Sequence, residues 1–144
     1  MRAGREERLV SASAAERDEL VAAARAVQRH AYAPASRFAV GAAVRASDGR
    51  VFVGCNVENA SYGLTICAER AAICAAVAAG ARAIEAVAVV TDLDEPARPC
   101  GACRQVLAEF GVGMRVALAG RGEGVVETTL DALLPDPFTF DGPL

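Results

Sequence analysis

Cys67-Ala68-Glu69-Arg70 and, further along, Pro99-Cys100-Gly101-Ala102-Cys103 decide how this chain is read, because together they supply three thiols and one carboxylate. A zinc ion held by three protein ligands keeps its fourth tetrahedral position for water, the layout of a catalytic centre and not of a closed structural one. Cys100 and Cys103 are three apart and share one helix face, and Pro99 suits the start of that helix. Cys67 likewise opens the alanine-rich run Cys67 to Ala79, so all three thiols fall near the positive ends of two helices, where thiol pKa values drop and metal binding is favoured. Glu69 follows Cys67 by two residues, about 200° round a helix, which is badly placed for a shared ligand but within reach of the water. A lone C-x-x-C also fits a redox pair or half of a structural zinc site, and the adjoining Cys-Ala-Glu disfavours both.

Charge adds a second layer. Three thiolates overcompensate a divalent cation, so the cluster is net negative and calls for a cationic neighbour. Arg70 follows Cys67 by three residues and Arg104 follows Cys100 by four, spacings that bring a side chain back over its partner, so both arginines are candidates for hydrogen bonding to sulfur.

The chain has 144 residues, room for one domain with a real core, and its 53% hydrophobic but only 5% aromatic composition builds that core from Ala, Val and Leu. A net charge of -3 and no basic run argue against a nucleic-acid partner, since phosphate neutralisation needs clustered cations. No stretch approaches the roughly 18 to 20 uncharged apolar residues of a membrane span, and Met1 to Arg8 is charged where a signal peptide needs an apolar segment. A small-molecule ligand and a cytoplasmic location are expected. Five cysteines in a reducing compartment then point to metal or core and not to disulfides. Cys55 and Cys74, outside the cluster, read as buried packing residues, and His30 as structural.

Residues 1–12 read as a flexible arm ahead of a single domain over 13–144. Ser13-Ala14-Ala15-Glu16 is a capping box, and Leu20, Ala24, Val27 and Ala31 recur at helical spacing, predicting a helix from about Ala14 to Ala31 that Pro34 ends. Phe38, Val40, Ala42 and Val44 then alternate as in a strand, and Asp48-Gly49 turns the chain into a second, antiparallel strand over Val51 to Val57. On that strand Asn56 and Glu58, two apart, share a side. Helix near Cys67 to Gly80, strand near Ala86 to Thr91, helix near Cys100 to Phe110, strand near Arg115 to Ala119, strand near Val125 to Thr128 and a turn at Asp131 to Leu134 complete the pattern. The expected fold is α/β, a three-layer α/β/α sandwich on a mixed five-stranded sheet, with both cysteine segments at helix starts along one sheet edge.

The cysteine and glutamate pattern matches the general signature of zinc deaminases, in which the glutamate carries protons and is not a ligand. Phe38-Ala39-Val40-Gly41-Ala42, Gly54-Cys55-Asn56-Val57-Glu58-Asn59-Ala60-Ser61-Tyr62, Ile66-Cys67-Ala68-Glu69-Arg70 and Pro99-Cys100-Gly101-Ala102-Cys103-Arg104-Gln105-Val106, in this order, resemble the small homotetrameric zinc-dependent cytidine deaminases over nearly all of the chain beyond the arm. The resemblance implies hydrolysis of cytidine and deoxycytidine to uridine and deoxyuridine in pyrimidine salvage, with one zinc per subunit on Cys67, Cys100 and Cys103 and Glu69 as the catalytic acid and base. It implies that the Ala68 backbone meets the base, that Asn56 and Glu58 hold the ribose and that Phe38 lines the nucleoside pocket. Tyr62 and Phe138 match positions that reach the pocket of a neighbouring subunit, so active sites would be shared within a homotetramer. One departure is Arg98, ahead of Pro99, where the family usually has serine. Rival readings are a deaminase of an aminopyrimidine nucleoside antibiotic such as blasticidin S, and a non-catalytic zinc-stabilised binding module.

Overall fold

A strand that is apolar on both sides has to be covered on both, and Ile84–Val90, buried at six of its seven positions, sets the plan of the molecule. The computed structural model describes residues 3–140. In chain order these form α1 (Ala3–Gln28), β1 (Gly41–Ala46), β2 (Val51–Cys55), a 3-10 turn (Tyr62–Leu64), α2 (Ala68–Ala78), β3 (Ile84–Val90), α3 (Gly101–Phe110), β4 (Arg115–Ala119), β5 (Val125–Thr129) and α4 (Leu130–Leu133). The strands make one five-stranded sheet ordered β2-β1-β3-β4-β5. The β3–β4 pair is parallel, and β1–β2, β1–β3 and β4–β5 are antiparallel. This is the expected mixed sheet.

Two layers of helix cover it. Val87, Val89, Val116 and Leu118 pack with Ala72 and Ile73 of α2 and Leu107 of α3 on one face. On the other, Ala43, Ala86, Ala88, Ala117 and Ala119 meet Leu20 and Ala24 of α1. The alanines bring α1 close to the sheet. Where it crosses β1, a side chain at Gly41 would run into the Ala24 carbonyl and Gln28. Gly54 does the same on the opposite face, since a Cβ there would collide with the first turns of α2 at Ala68, Ala71 and Ala72. Close packing at Gly54 seats the start of α2 against the end of β2. Because β1 is antiparallel to both β2 and β3, those two strands run the same way, and α2 and α3 both begin at their carboxyl edge.

Several local expectations need correction. The backbone is helical from Ala3, continuous with α1, whereas a flexible arm over 1–12 was expected; residues 1–2 lie outside the described residues. The segment is rich in Ala, Glu, Arg and Leu, good helix formers, so the helix does not wait for the cap. Ser13 therefore stands inside α1, and its Oγ accepts a bond from Arg115 (3.0 Å) in place of capping. The helix also stops at Gln28, short of Ala31, and His30 sits exposed in the turn beyond. Phe38 and Val40 precede β1, which is buried at all six positions because it lies inside the sheet between α1 and α2. Asn56, Val57 and Glu58 follow β2, with Val57 making only isolated bridges to Tyr32 and Ile66. Cys74 is exposed and not buried, since Ala72, Ile73 and Ala76 take the inward face of α2. No helix among the described residues is long and apolar enough to cross a membrane.

Candidate active site

Cys67 and Cys100 are the N-caps of α2 and α3, with extended backbone (φ -72, ψ 153 and φ -67, ψ 165), and neither side chain is spent on capping. Cys103 lies one turn into α3 and is fully buried. The ligand sulfurs of the three cysteines lie within 4.8 Å of one another, the one such cluster of potential metal ligands among the described residues, and Glu69 is not part of it. Tetrahedral zinc with bonds of about 2.3 Å needs sulfurs about 3.8 Å apart, a spacing compatible with a cluster this tight. The chemistry of the donors fits a cation as well. Burial, then the charges of Glu69 and Cys67, push the Cys103 thiol far above its ordinary value. A divalent cation is the kind of charge that reverses this. At Cys100 burial pushes upward too, but hydrogen bonds from the Cys103 amide and from the Cys103 and Cys67 thiols outweigh it and hold the thiol below its usual range. The expected lowering at helix starts thus holds at Cys100 and not at Cys103.

Glu69, in the first turn of α2, is only 5% exposed. Its Oε2 accepts from the Cys103 thiol at 3.6 Å. Burial raises its carboxyl pKa, against the opposing pull of its own backbone amide, the Cys103 thiol and Arg70. Arg70 donates through Nη2 to the Cys67 sulfur (3.5 Å) and to the Thr65 carbonyl (3.4 Å), while its buried Nε has no partner among the described residues. The expected arginine-to-sulfur contact is present here. Arg104 behaves differently. Its Nε donates to the Pro99 carbonyl and its Nη1 to the Leu133 carbonyl, both at 2.8 Å, so it ties the start of α3 to α4 and bonds no sulfur. Two backbone carbonyls at the right distance hold the guanidinium away from the cluster.

A cleft of about 310 Å³ opens onto this centre. Cys67, Ala68, Glu69 and Cys100 form its floor, and Phe38, Asn56 and Glu58 stand along one wall. Asn56 and Glu58 do face the same space, though not as strand neighbours. The Asn56 amide replaces a ladder partner, accepting from Val40 N (2.8 Å) and donating to the Phe38 carbonyl (2.7 Å). The Glu58 carboxylate takes the amide of Ala35 (2.9 Å) and that of Ser36 (3.2 Å). Hydrogen bonding from Ser36, its side chain foremost and its amide next, with Ala35 adding to it, holds the Glu58 carboxyl below the usual range against a smaller cost of burial. Arg98 stands at the rim with an exposed side chain and no ion pair among the described residues.

This arrangement can be set beside known proteins. The family model for the cytidine and deoxycytidylate deaminase zinc-binding region matches residues 14–119. The chain belongs to that family of deaminases. A cytidine deaminase of Sporosarcina psychrophila is 47% identical over 123 residues, 85% of this chain and 90% of the relative. One of Mycobacterium tuberculosis is 50% identical over 111 residues, covering 77% and 80%. Among solved structures, the cytidine deaminase of Burkholderia pseudomallei shares 51% identity with a TM-score of 0.81, covering 84% of this chain and 98% of that one.

Not every residue of this family member expected at the site lies in its own cleft. Tyr62, in the 3-10 turn, is 77% exposed and Phe138 is 75% exposed, and neither lines the cleft of its own chain. The Phe138 carbonyl accepts from Gln105 Nε2 (2.9 Å). Sequence reasoning missed Ser36, Thr65 and Thr91, all of which line the cleft of this deaminase-family chain. Ser36 carried a signal, being a small polar residue in the Pro34-Ala35-Ser36 turn just ahead of Phe38.

Proposed function

We propose that this chain catalyses the zinc-dependent hydrolytic deamination of cytidine and deoxycytidine, consuming water and releasing uridine or deoxyuridine and ammonia, in pyrimidine salvage. The observation that carries the reading is the buried Glu69 carboxylate beside the Cys67–Cys100–Cys103 cluster at the floor of a nucleoside-sized cleft. Zinc on those three sulfurs, one ion per subunit, would supply a Lewis acid that makes water a nucleophile near neutral pH.

Everything else falls to the chain's own residues. Glu69 takes a proton from the water that attacks C4 of the pyrimidine and carries it to N3, then takes the second proton from the hydroxyl now on C4 and gives it to the amino group, which leaves as ammonia as the C4 carbonyl forms. Its burial favours the protonated form, so the proton is held where it can be passed on. The Ala68 backbone, at the positive end of α2, meets the base, and Phe38 forms the apolar wall. Asn56 and Glu58 take the sugar hydroxyls, and a negative Glu58 disfavours a phosphate on that sugar. Arg70 offsets the negative charge of the thiolates.

The catalytic unit is residues 13–144, in a cytoplasmic protein with no nucleic-acid or membrane partner. The exposed Tyr62 and Phe138 reach the clefts of neighbouring subunits in a homotetramer. An ultraviolet assay on cytidine, deoxycytidine, cytosine, CMP and blasticidin S tests the substrate class. Turnover of the first two above the others is expected, and preference for CMP or blasticidin S overturns it.

A further inference from the structure

Ser36, Phe38 and Val40 contribute to the wall of the cleft from residues 35–40, a segment with no regular structure. Arg37 sits in its middle at φ 60, a left-handed conformation that costs a residue with a Cβ and has to be held by its surroundings. What holds it is a small set of polar groups. The Ser36 amide reaches both carboxylate oxygens of Glu58, at 3.2 and 3.3 Å. The Ser36 hydroxyl oxygen accepts from Phe38 N at 3.0 Å. The amide of Ser36 thus braces the Glu58 end of the turn and its hydroxyl the Phe38 end. Oε1 of Glu58 already accepts from the amides of Ala35 and Ser36, while Oε2 has only the longer Ser36 contact and so keeps capacity for a ligand hydroxyl.

We propose that Ser36 is a positioning residue for sugar recognition, its amide holding the Glu58 carboxylate on one side and its hydroxyl the Phe38 backbone on the other, so that the sugar-binding group and the aromatic wall are set by one residue. The inference rests on the reading that this cleft binds a nucleoside with its sugar at Asn56 and Glu58. The lowered pKa of Glu58, to which the Ser36 side chain contributes most, agrees with it. Glu69 and the cysteine cluster make no hydrogen bond to Ser36, so substrate affinity and not the chemical step should depend on it.

The test is steady-state kinetics on cytidine with Ser36→Ala, Ser36→Thr, Glu58→Gln and the Ser36→Ala/Glu58→Gln double variant, each checked for an unchanged melting curve. Loss of one or two hydrogen bonds predicts a rise in KM of about five- to twentyfold for Ser36→Ala, with kcat within about twofold of wild type. Ser36→Thr keeps a hydroxyl and should recover most of the loss. In the Glu58→Gln background, removing the Ser36 hydroxyl should change KM less than in wild type, because the turn it braces presents its amide to the Glu58 carboxylate. An unchanged KM in Ser36→Ala, an equal fall in kcat without rescue by threonine, or full additivity with Glu58→Gln overturns the inference. A zinc-loaded wild-type protein inactive on cytidine refutes the proposed function instead, and with it this inference.

Discussion

Replacing Glu69 with glutamine tests whether the proposed proton carrier can be separated from the metal centre. The side chain is 5% exposed, and burial raises its carboxyl pKa. For an acid whose pKa is raised on folding, the stability contribution is present at low pH and lost as pH rises through the folded value, so ionisation of Glu69 opposes folding. Glutamine has nearly the same shape and removes one negative charge beside three thiolates. Zinc content and melting temperature should therefore hold or rise. Proton transfer, by contrast, should be lost if Glu69 carries it. General acid–base catalysis contributes about 10²- to 10⁴-fold, which at about 1.36 kcal/mol per factor of ten corresponds to about 2.7–5.4 kcal/mol of barrier. Following the ultraviolet change of cytidine under saturating substrate, with zinc measured on the same sample, reads both quantities. Activity within a few-fold of wild type in a zinc-replete Glu69→Gln protein would refute the assignment of Glu69, and loss of zinc would refute its exclusion from the ligand set.

Cys103→Ala should lose nearly all bound zinc and melt at lower temperature, because two remaining thiolates cannot hold the ion and its binding energy is folding energy; elemental analysis at wild-type zinc content would contradict this. Phe138→Ala and Glu69→Ala chains, each weakly active alone, should regain activity above the sum of the parents when co-refolded into mixed oligomers, and confirmed mixing without that gain would mean Phe138 acts in its own subunit or only in packing. The depressed pKa of Glu58 gives stability that is present above the ordinary carboxylate value of 4.5 and lost as pH falls through the lower folded value. Melting curves taken on descending pH should accordingly converge for wild type and Glu58→Gln at the acid end, and a gap that widens there would show the sign to be wrong.

The metal cluster was legible because its geometry is local. Cys100 and Cys103 share a helix face by spacing alone, and Pro99 fixes where that helix starts. Strand Arg115–Ala119 was equally plain, bounded by Gly113 and Gly120. What could not be read depended on how elements meet. Which face of α2 turns inward decides that Cys74 is exposed, and the pattern of alanines there does not say. Arg104 looked equivalent to Arg70 by spacing, but the carbonyl of Leu133, far along the chain, captures it. Ser13 reads as a cap from four residues, whereas the helix-forming residues before it carry α1 through. Asn56 and Glu58 were placed together for a reason that does not hold, since both lie beyond β2 and are brought to one cleft by their bonds to residues 35–40.

Ammonia released from cytidine as metal-free protein is titrated with zinc tests zinc-dependent deamination most directly. Release should be absent without metal, rise linearly and saturate at one zinc per chain, with one ammonia formed for each uridine. Undiminished release from protein stripped of metal, or none from protein carrying one zinc per chain, would contradict it.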